Sequence, residues 1–143
     1  MTTAILGRTG LQVGRIGLGS SYGIGGADVE RAFERGINYL YWGTRRTGGF
    51  GRAIRDLARR HREQMVVVVQ SYTRAGMTLR PSVELALRRL DLDHADILLL
   101  GWWNAPPPDR IVDAALALRE AGRVRHLMIS CHHRPTFERY IAD

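Results

Sequence analysis

The sequence predicts an α/β fold in which about five parallel strands alternate with helices. Apolar, strand-like runs begin near residues 15, 38, 65, 96 and 124, roughly 23 to 31 residues apart, and the segments between them have the apolar spacing of amphipathic helices. Residues 65–70 and 96–100 are apolar without alternation, which is typical of strands buried on both faces of a parallel sheet. Such a repeat requires right-handed crossovers.

A predicted hairpin precedes this repeat. Residues 3–6 and 11–13 flank the four-residue turn GRTG. Gly36 is expected to end the first helix, because glycine adopts the left-handed conformation that commonly follows a helix. The elements of the first half are then a strand at 15–19, a helix at 28–35, a strand at 38–42, a helix at 51–60 and a strand at 65–70.

Pro81 and Asp109 set the expected starts of two helices in the second half. Proline is tolerated in a first helical turn, so the third helix is predicted to begin near Pro81. Asp109 follows a run of three prolines that requires an extended loop, and its side chain is suited to cap the next helix. The elements are a helix with the apolar stripe Val83, Ala86, Leu87 and Leu90, a strand at 96–100, a helix from 109 to Gly122, a strand at 124–130 and a helix starting in 135–143.

Composition limits the function. The 143 residues suit one domain, 1–143. All 21 basic side chains are arginine, which excludes Schiff-base and P-loop lysine chemistry, and the net charge of +7 allows a nucleic-acid binder as the last-ranked hypothesis. A single cysteine, Cys131, fits a reducing cytoplasm, and the apolar runs are too short to span a membrane.

Function in parallel β/α folds gathers at the carboxyl ends of the strands. The side chains predicted there are polar and aromatic, with histidines but no acid. They are Gly19, Ser20, Ser21 and Tyr22; Tyr41, Trp42, Arg45 and Arg46; Gln70 and Tyr72; Trp102, Trp103 and Asn104; and Ser130, His132 and His133.

Several segments resemble the aldo-keto reductase family, in the family's order and over nearly the whole chain. The opening LGRTGLQV followed by IGLG resembles the family's hairpin and first strand. The later matches are GINY before the second strand, LRRL with DHADI before the fourth, and GRVRH before the fifth. The resemblance implies about five strands of a TIM-barrel-like fold, an incomplete (β/α)8 barrel.

Family members transfer hydride from NADPH to a carbonyl, using an aspartate, tyrosine, lysine and histidine. The resemblance places these four at Tyr41, Arg46, Gln70 and Gly101, so the whole tetrad is replaced. A tyrosine with a pKa near 10 is a poor acid at pH 7 without a neighbouring cation. The resemblance therefore implies a reductase-like protein that is inactive or altered as a reductase.

The resemblance also implies part of a cofactor site. Gly19 and Ser20 match the loop after the first strand, and Ser130 matches the serine after the fifth, while Cys131 replaces the asparagine that commonly follows it. The family's loops for the adenosine 2′-phosphate come after later strands than this chain contains. NADP binding is therefore expected to be weak.

The substituted positions allow a different ligand site. Tyr41, Trp42, Trp103 and His132 would form an aromatic cup, beside Gln70, for a small carbonyl compound, while Arg45 or Arg46 would hold an anion. The alternative is that these side chains simply fill the top of the sheet. One of Trp102 and Trp103 is expected to pack under a helix and the other to face the mouth. No metal site is predicted, because no ligand pair has zinc-site spacing.

An incomplete barrel leaves two open edges and an exposed inner apolar face, which predicts self-association or a partner that supplies strands. The alternative topology is a flavodoxin-like open sheet with helices on both faces. The remaining function hypotheses are an altered reductase-like protein and a non-catalytic binding or assembly module.

Overall fold

A computed structural model describes residues 2–43 and 48–142. Within this part, an antiparallel hairpin precedes a five-stranded parallel sheet whose strand order is the chain order. The strands are β1 (Thr3–Ile5), β2 (Gln12–Gly14), β3 (Leu18–Gly19), β4 (Tyr39–Trp42), β5 (Val66–Ser71), β6 (Ala95–Leu100) and β7 (Val124–Ile129). The helices are α1 (Gly26–Glu34), α2 (Gly48–His61), α3 (Gly76–Leu90), α4 (Asp109–Glu120) and α5 (Pro135–Ala142), with short 3-10 turns at Ser20–Tyr22 and Arg62–Gln64.

The predicted β/α repeat is confirmed, but α3 begins earlier than expected and Asp109 does not have the predicted capping role in α4. Helix α3 begins at Gly76, so Pro81 lies inside it rather than in its first turn. Leu79 lies in that first turn and is fully buried. Its packing stabilises the helical conformation of the residues that precede the proline. Pro108 occupies the N-cap position of helix α4 without a side-chain capping hydrogen bond, and Asp109 is the first helical residue, where a carboxylate interacts favourably with the helix dipole.

Helices α1 to α4 all pack on one face of the sheet. Their buried side chains join the outward-facing residues of β4, β5 and β6 in one apolar cluster. The second cluster lies on the opposite face and combines Val66, Val68, Ile97 and Leu99 with Val13 of the hairpin. Helices on one face and the hairpin on the other match part of a barrel and not a flavodoxin-like sheet.

The inner face is better covered than the incomplete barrel predicts. Val68 and Ile97 are fully buried, because the hairpin and the side chains of Tyr39, Tyr41 and Met128 lie over the central strands. The Tyr39 hydroxyl lies 3.9 Å from the Met128 sulfur, so this ring extends across β5 and β6 toward β7. The expectation of an exposed inner apolar face is therefore wrong, whereas β3 and β7 do end the sheet as edge strands.

A buried carboxylate links the amino-terminal ends of the two central strands, β5 and β6. Asp96 has 1% of its side chain exposed, and one of its oxygens accepts hydrogen bonds from the Val67 amide at 2.8 Å and from Arg62 at 2.9 Å. Arg125 approaches the other oxygen at 3.5 Å. Burial first, and then the charges of Arg62 and Arg125, lower the pKa of the neighbouring His94.

Asn38 fastens the hairpin to the same end of the sheet. Its side-chain oxygen accepts the Gly14 amide hydrogen at 2.9 Å, and its amide group donates to the carbonyls of Gln12 and Gln64.

In the described part of the chain, no helix has both the length and the apolar character needed to cross a membrane.

Candidate functional site

The carboxyl ends of the parallel strands meet at one rim of the sheet, opposite the hairpin. Strand β3 ends at Gly19, β4 at Trp42, β5 at Ser71, β6 at Leu100 and β7 at Ile129. Most of the residues singled out from the sequence follow these ends. Residues 44–47, which include Arg45 and Arg46, lie outside the described residues, so the predicted role of Arg46 stays a prediction.

Tyr41 and Gln70 are joined on the inner face of the rim. The Tyr41 hydroxyl donates a hydrogen bond to the side-chain oxygen of Gln70, whose side chain is almost fully buried. Gly101 lies against this pair, because a methyl group placed there would come within 2.5 Å of the Gln70 amide nitrogen and 2.6 Å of the Tyr72 ring. Three of the positions that the resemblance assigns to the tetrad therefore lie together as one packed unit.

Gly19 and Ser20 lie at the other side of this unit. Gly19 pairs with Tyr41 across the sheet, and Ser20 is fully buried with its hydroxyl accepting the Gly43 amide hydrogen at 3.3 Å. Ser130 is engaged as well, because its hydroxyl accepts the Trp102 amide hydrogen at 3.0 Å. All three predicted cofactor residues thus lie at the rim, and both serine hydroxyls take part in holding the protein's own backbone.

Trp42 does not join the predicted aromatic cup. Strand alternation points Tyr41 inward and Trp42 outward, where the indole belongs to the helix-side cluster and packs on Gly51 of α2. Its side chain is buried and anchors α2. The prediction that Trp42 belongs to the aromatic cup is therefore wrong.

One of the two neighbouring tryptophans does pack under the helices, as expected, but it is Trp103, which was predicted to join the aromatic cup. Trp103 packs against the helix-side cluster beneath the Arg74 guanidinium, which lies 4.1 Å from the ring centre, and its ring nitrogen is buried. Trp102 faces the mouth instead. By simple alternation from Leu99 and Gly101 the inward residue would be Trp103, but Trp102 has a left-handed backbone, φ +58°, which breaks the alternation.

Three aromatic rings meet at the mouth. The Trp102 ring centre lies 5.0 Å from that of Tyr72 and 5.6 Å from that of His132, both at steep interplanar angles. His132 was predicted here from the sequence, whereas Tyr72 and Trp102 were only noted as residues near strand ends. The signal that could have found them is their position within two residues of the ends of β5 and β6, whose residues are all buried.

Asn104 holds the loop that carries His132. Its side-chain oxygen accepts the amide hydrogens of His132 at 2.8 Å and His133 at 3.2 Å. The His133 ring contacts the Thr136 hydroxyl, which donates to the Asn104 carbonyl. No group of three or more histidine, cysteine or acidic side chains suited to a metal ion occurs among the described residues.

Two tyrosines near the site are held protonated. Burial, and next the proximity of Tyr41, raise the pKa of Tyr39 above its usual value. Burial, followed by Cys131, likewise raises the pKa of Tyr140, whose hydroxyl donates to the Trp103 carbonyl. Both hydroxyls are therefore hydrogen-bond donors at neutral pH and poorly suited to proton transfer.

No family model matches the chain. The fold is nevertheless that of the first half of solved aldo-keto reductases. A holo aldo-keto reductase from Bacillus halodurans superposes with a TM-score of 0.83 at 22% identity, over 99% of this chain and 54% of its own. A thermostable aldo-keto reductase in complex with the inhibitor epalrestat gives 0.83 at 25%, over 99% and 58%. An aldo-keto reductase from Klebsiella pneumoniae in complex with NADP and acetate gives 0.72 at 24%, over 82% and 46%.

This chain thus spans about half the length of the reductases that it matches. The likeness bears out the predicted fold, with a parallel sheet that corresponds to part of the reductase barrel.

Proposed function

We propose that this chain is an aldo-keto reductase-like half-barrel that does not reduce carbonyl compounds and acts as a binding module. The observation that carries the proposal is the Tyr41–Gln70 hydrogen bond beside Gly101. These residues occupy the positions that the resemblance gives to aspartate, lysine and histidine. They form a hydrogen bond and packing contacts with each other, which favours a structural role for these residues over a catalytic one.

The chemistry of carbonyl reduction supports the same proposal. Hydride transfer needs an acid that protonates the developing alkoxide at neutral pH. A tyrosine serves that purpose only when its pKa is lowered, and the family's lysine has no counterpart because the chain contains no lysine. The pKa of the nearby Tyr39 is shifted in the opposite direction, upward.

We further propose that NADP binds weakly. The Klebsiella pneumoniae neighbour was solved with NADP, and Gly19, Ser20 and Ser130 are the residues that the resemblance matches to the family's cofactor site. The Ser20 hydroxyl is buried and accepts the Gly43 amide hydrogen, and the Ser130 hydroxyl accepts the Trp102 amide hydrogen. Both serines therefore have less hydrogen-bonding capacity left for a ligand.

An NADPH fluorescence titration, with carbonyl turnover followed in the same cuvette, tests this function. We expect millimolar or weaker binding and no oxidation of NADPH above the rate in buffer with an aromatic aldehyde. Tyr41→Phe is the matched variant, because it removes only the hydroxyl. Turnover by the unsubstituted chain that disappears in Tyr41→Phe would contradict the proposal.

A second proposal is assembly through the edges of the sheet. The side chains of β7 from His126 to Ile129 are only half-buried, whereas all six residues of β5 and of β6 are buried. Strands with an unpaired edge accept further strands. We propose that a second copy or a partner chain adds strands at β7.

Sedimentation velocity over a hundredfold range of concentration tests assembly. We expect a species heavier than the 16.1 kDa monomer that grows with concentration. The control is Met77→Ser, which removes an exposed apolar side chain on α3 and should leave association unchanged. A single monomeric species at every concentration, without binding of a hydrophobic dye, would refute assembly with a second copy and leave a different chain as the partner at β7.

A further inference from the structure

The outer face of helix α3 carries a ridge of exposed apolar side chains. Met77, Pro81 and Leu85 follow one another at intervals of four residues, so they line up along the helix surface. Met77 is 86% exposed and Leu85 is 40% exposed. Among the described residues, neither belongs to the two apolar clusters on the faces of the sheet. Packing of the core therefore does not account for this apolar ridge.

A second ridge of α3 lies beside the first and is basic. Arg80, Glu84 and Arg88 have the same four-residue spacing, and both arginines are exposed. Glu84 is held by Arg123, whose guanidinium donates to its two oxygens at 3.0 Å and 2.8 Å. This hydrogen bond is the main cause of the lowered pKa of Glu84, and the charges of Arg80 and Arg88 lower it further. Three guanidinium groups thus act on one carboxylate, and the basic ridge keeps a net positive charge.

The positive charge of α3 is left without partners in the described part of the chain. Arg123 forms an ion pair with Glu84, but no ion pair between described residues involves Arg80, Arg88 or Arg89. Exposed guanidinium groups of this kind bind carboxylates, often through two parallel hydrogen bonds. Charge complementarity therefore favours an acidic partner for this surface.

The geometry of α3 favours a helix as that partner. Leu79, Val83 and Leu87 are fully buried on the sheet side, and α2 and α4 pack against its two flanks. The outward face is therefore the one that a further helix can reach. Parallel ridges leave a groove between them, into which the side-chain ridge of another helix packs. A helix with an apolar stripe and an acidic flank matches both ridges of α3.

We propose that the outer face of α3, with the apolar side chains of Met77 and Leu85 beside Arg80 and Arg88, is a docking surface for an acidic amphipathic helix of a partner protein. The inference rests on the proposed binding function, to which it adds a surface and the chemistry of the partner. A lipid surface matches less well, because the ridge offers only two large apolar side chains to insert. A nucleic acid matches less well because it would leave those apolar side chains in water.

A labelled synthetic peptide tests the proposal by fluorescence anisotropy. The peptide has about 18 residues, enough for a helix, with leucines every three or four positions and glutamate and alanine elsewhere. One control peptide has lysine in place of each glutamate, and the other has serine in place of each leucine. We expect the acidic amphipathic peptide to bind about tenfold more tightly than either control, because docking needs both the charge and the apolar stripe. Its affinity should fall as the salt concentration rises.

Two variants locate the docking surface on α3. Arg88→Gln removes one charge and Met77→Ser removes one apolar side chain, so each should weaken binding of the acidic peptide about threefold to fivefold. Both positions are exposed, so neither change should unfold the chain. Arg8→Gln in the exposed hairpin turn removes the same charge far from α3 and is the matched control, which should leave the affinity unchanged.

No binding, equal binding of the three peptides, or the same loss in Arg8→Gln as in Arg88→Gln would each overturn the inference. An unchanged affinity in Met77→Ser would also overturn it. Tighter binding to vesicles of phosphatidylserine and phosphatidylcholine, or to a DNA duplex, would replace the helix by a membrane or a nucleic acid. Failure here is distinct from failure of the proposed function, which is decided by NADPH turnover and by sedimentation without peptide.

Discussion

Replacing Asp96 by alanine should lower the free energy of unfolding by about 3 kcal/mol, since it removes a buried carboxylate from its partners. The Val67 amide would lose its acceptor inside the sheet, which by itself costs about 1–3 kcal/mol. Arg62 would lose its closest anion, although it keeps a contact with the His94 carbonyl and some exposure to water. Urea unfolding followed by tryptophan fluorescence measures the change.

Asp96→Asn separates the two contributions. The asparagine oxygen still accepts the Val67 amide hydrogen but carries no charge. The free energy of unfolding should therefore fall less in this variant than in the alanine variant. Asp113→Ala, on the exposed side of α4, is the matched control and should change stability by less than about 0.5 kcal/mol. If Asp96→Ala unfolds at the same urea concentration as Asp113→Ala, the carboxylate does not hold the strands together.

Restoring a histidine at position 101 should destabilise the chain by about 2–3 kcal/mol, because the site has no space for a side chain there. Even the first carbon of that side chain would overlap the Gln70 amide and the Tyr72 ring. Gln70 cannot easily move away, because it is buried and bonded to Tyr41. Gly101→Ala should lose most of the same amount of stability, because the overlap begins at the β-carbon.

Gly49→Ala is the control for Gly101→Ala. Gly49 lies in helix α2, where an added methyl group would meet only the Gly26 amide nitrogen at an ordinary 3.6 Å. Alanine favours a helix over glycine by up to about 1 kcal/mol, so this variant should be neutral or more stable. A Gly101→Ala variant as stable as Gly49→Ala would show that the Gln70 and Tyr72 side chains move aside easily and that the site has space for a side chain at position 101.

The repeat of strands and helices was predictable from the sequence because each element buries a continuous apolar stripe or run. The uninterrupted runs in β5 and β6 indicated strands covered on both faces, and all of their residues are buried. The start of α3 was not predictable from Pro81, since tertiary packing of Leu79 outweighs a local preference.

The site was harder to predict, because alternation applies only while the backbone is extended. Within β4 alternation does separate Tyr41 from Trp42, but it was not applied there, since both were predicted to join the aromatic cup. It fails at Trp102 and Trp103, where a left-handed residue follows the end of β6. The coverage of the inner face was missed for another reason, since nothing in the local pattern shows that the Tyr39 ring extends toward Met128 on β7.

The order of the strands has a consequence for folding. In the parallel sheet, each strand pairs with the one that precedes it in the chain, from β3 to β7. During synthesis the partner of every new strand has therefore already left the ribosome, and each step closes a loop of only one helix and its connections. Local closures of this kind carry a small entropic cost and speed folding. The sheet can grow strand by strand in the direction of translation, without waiting for a distant segment.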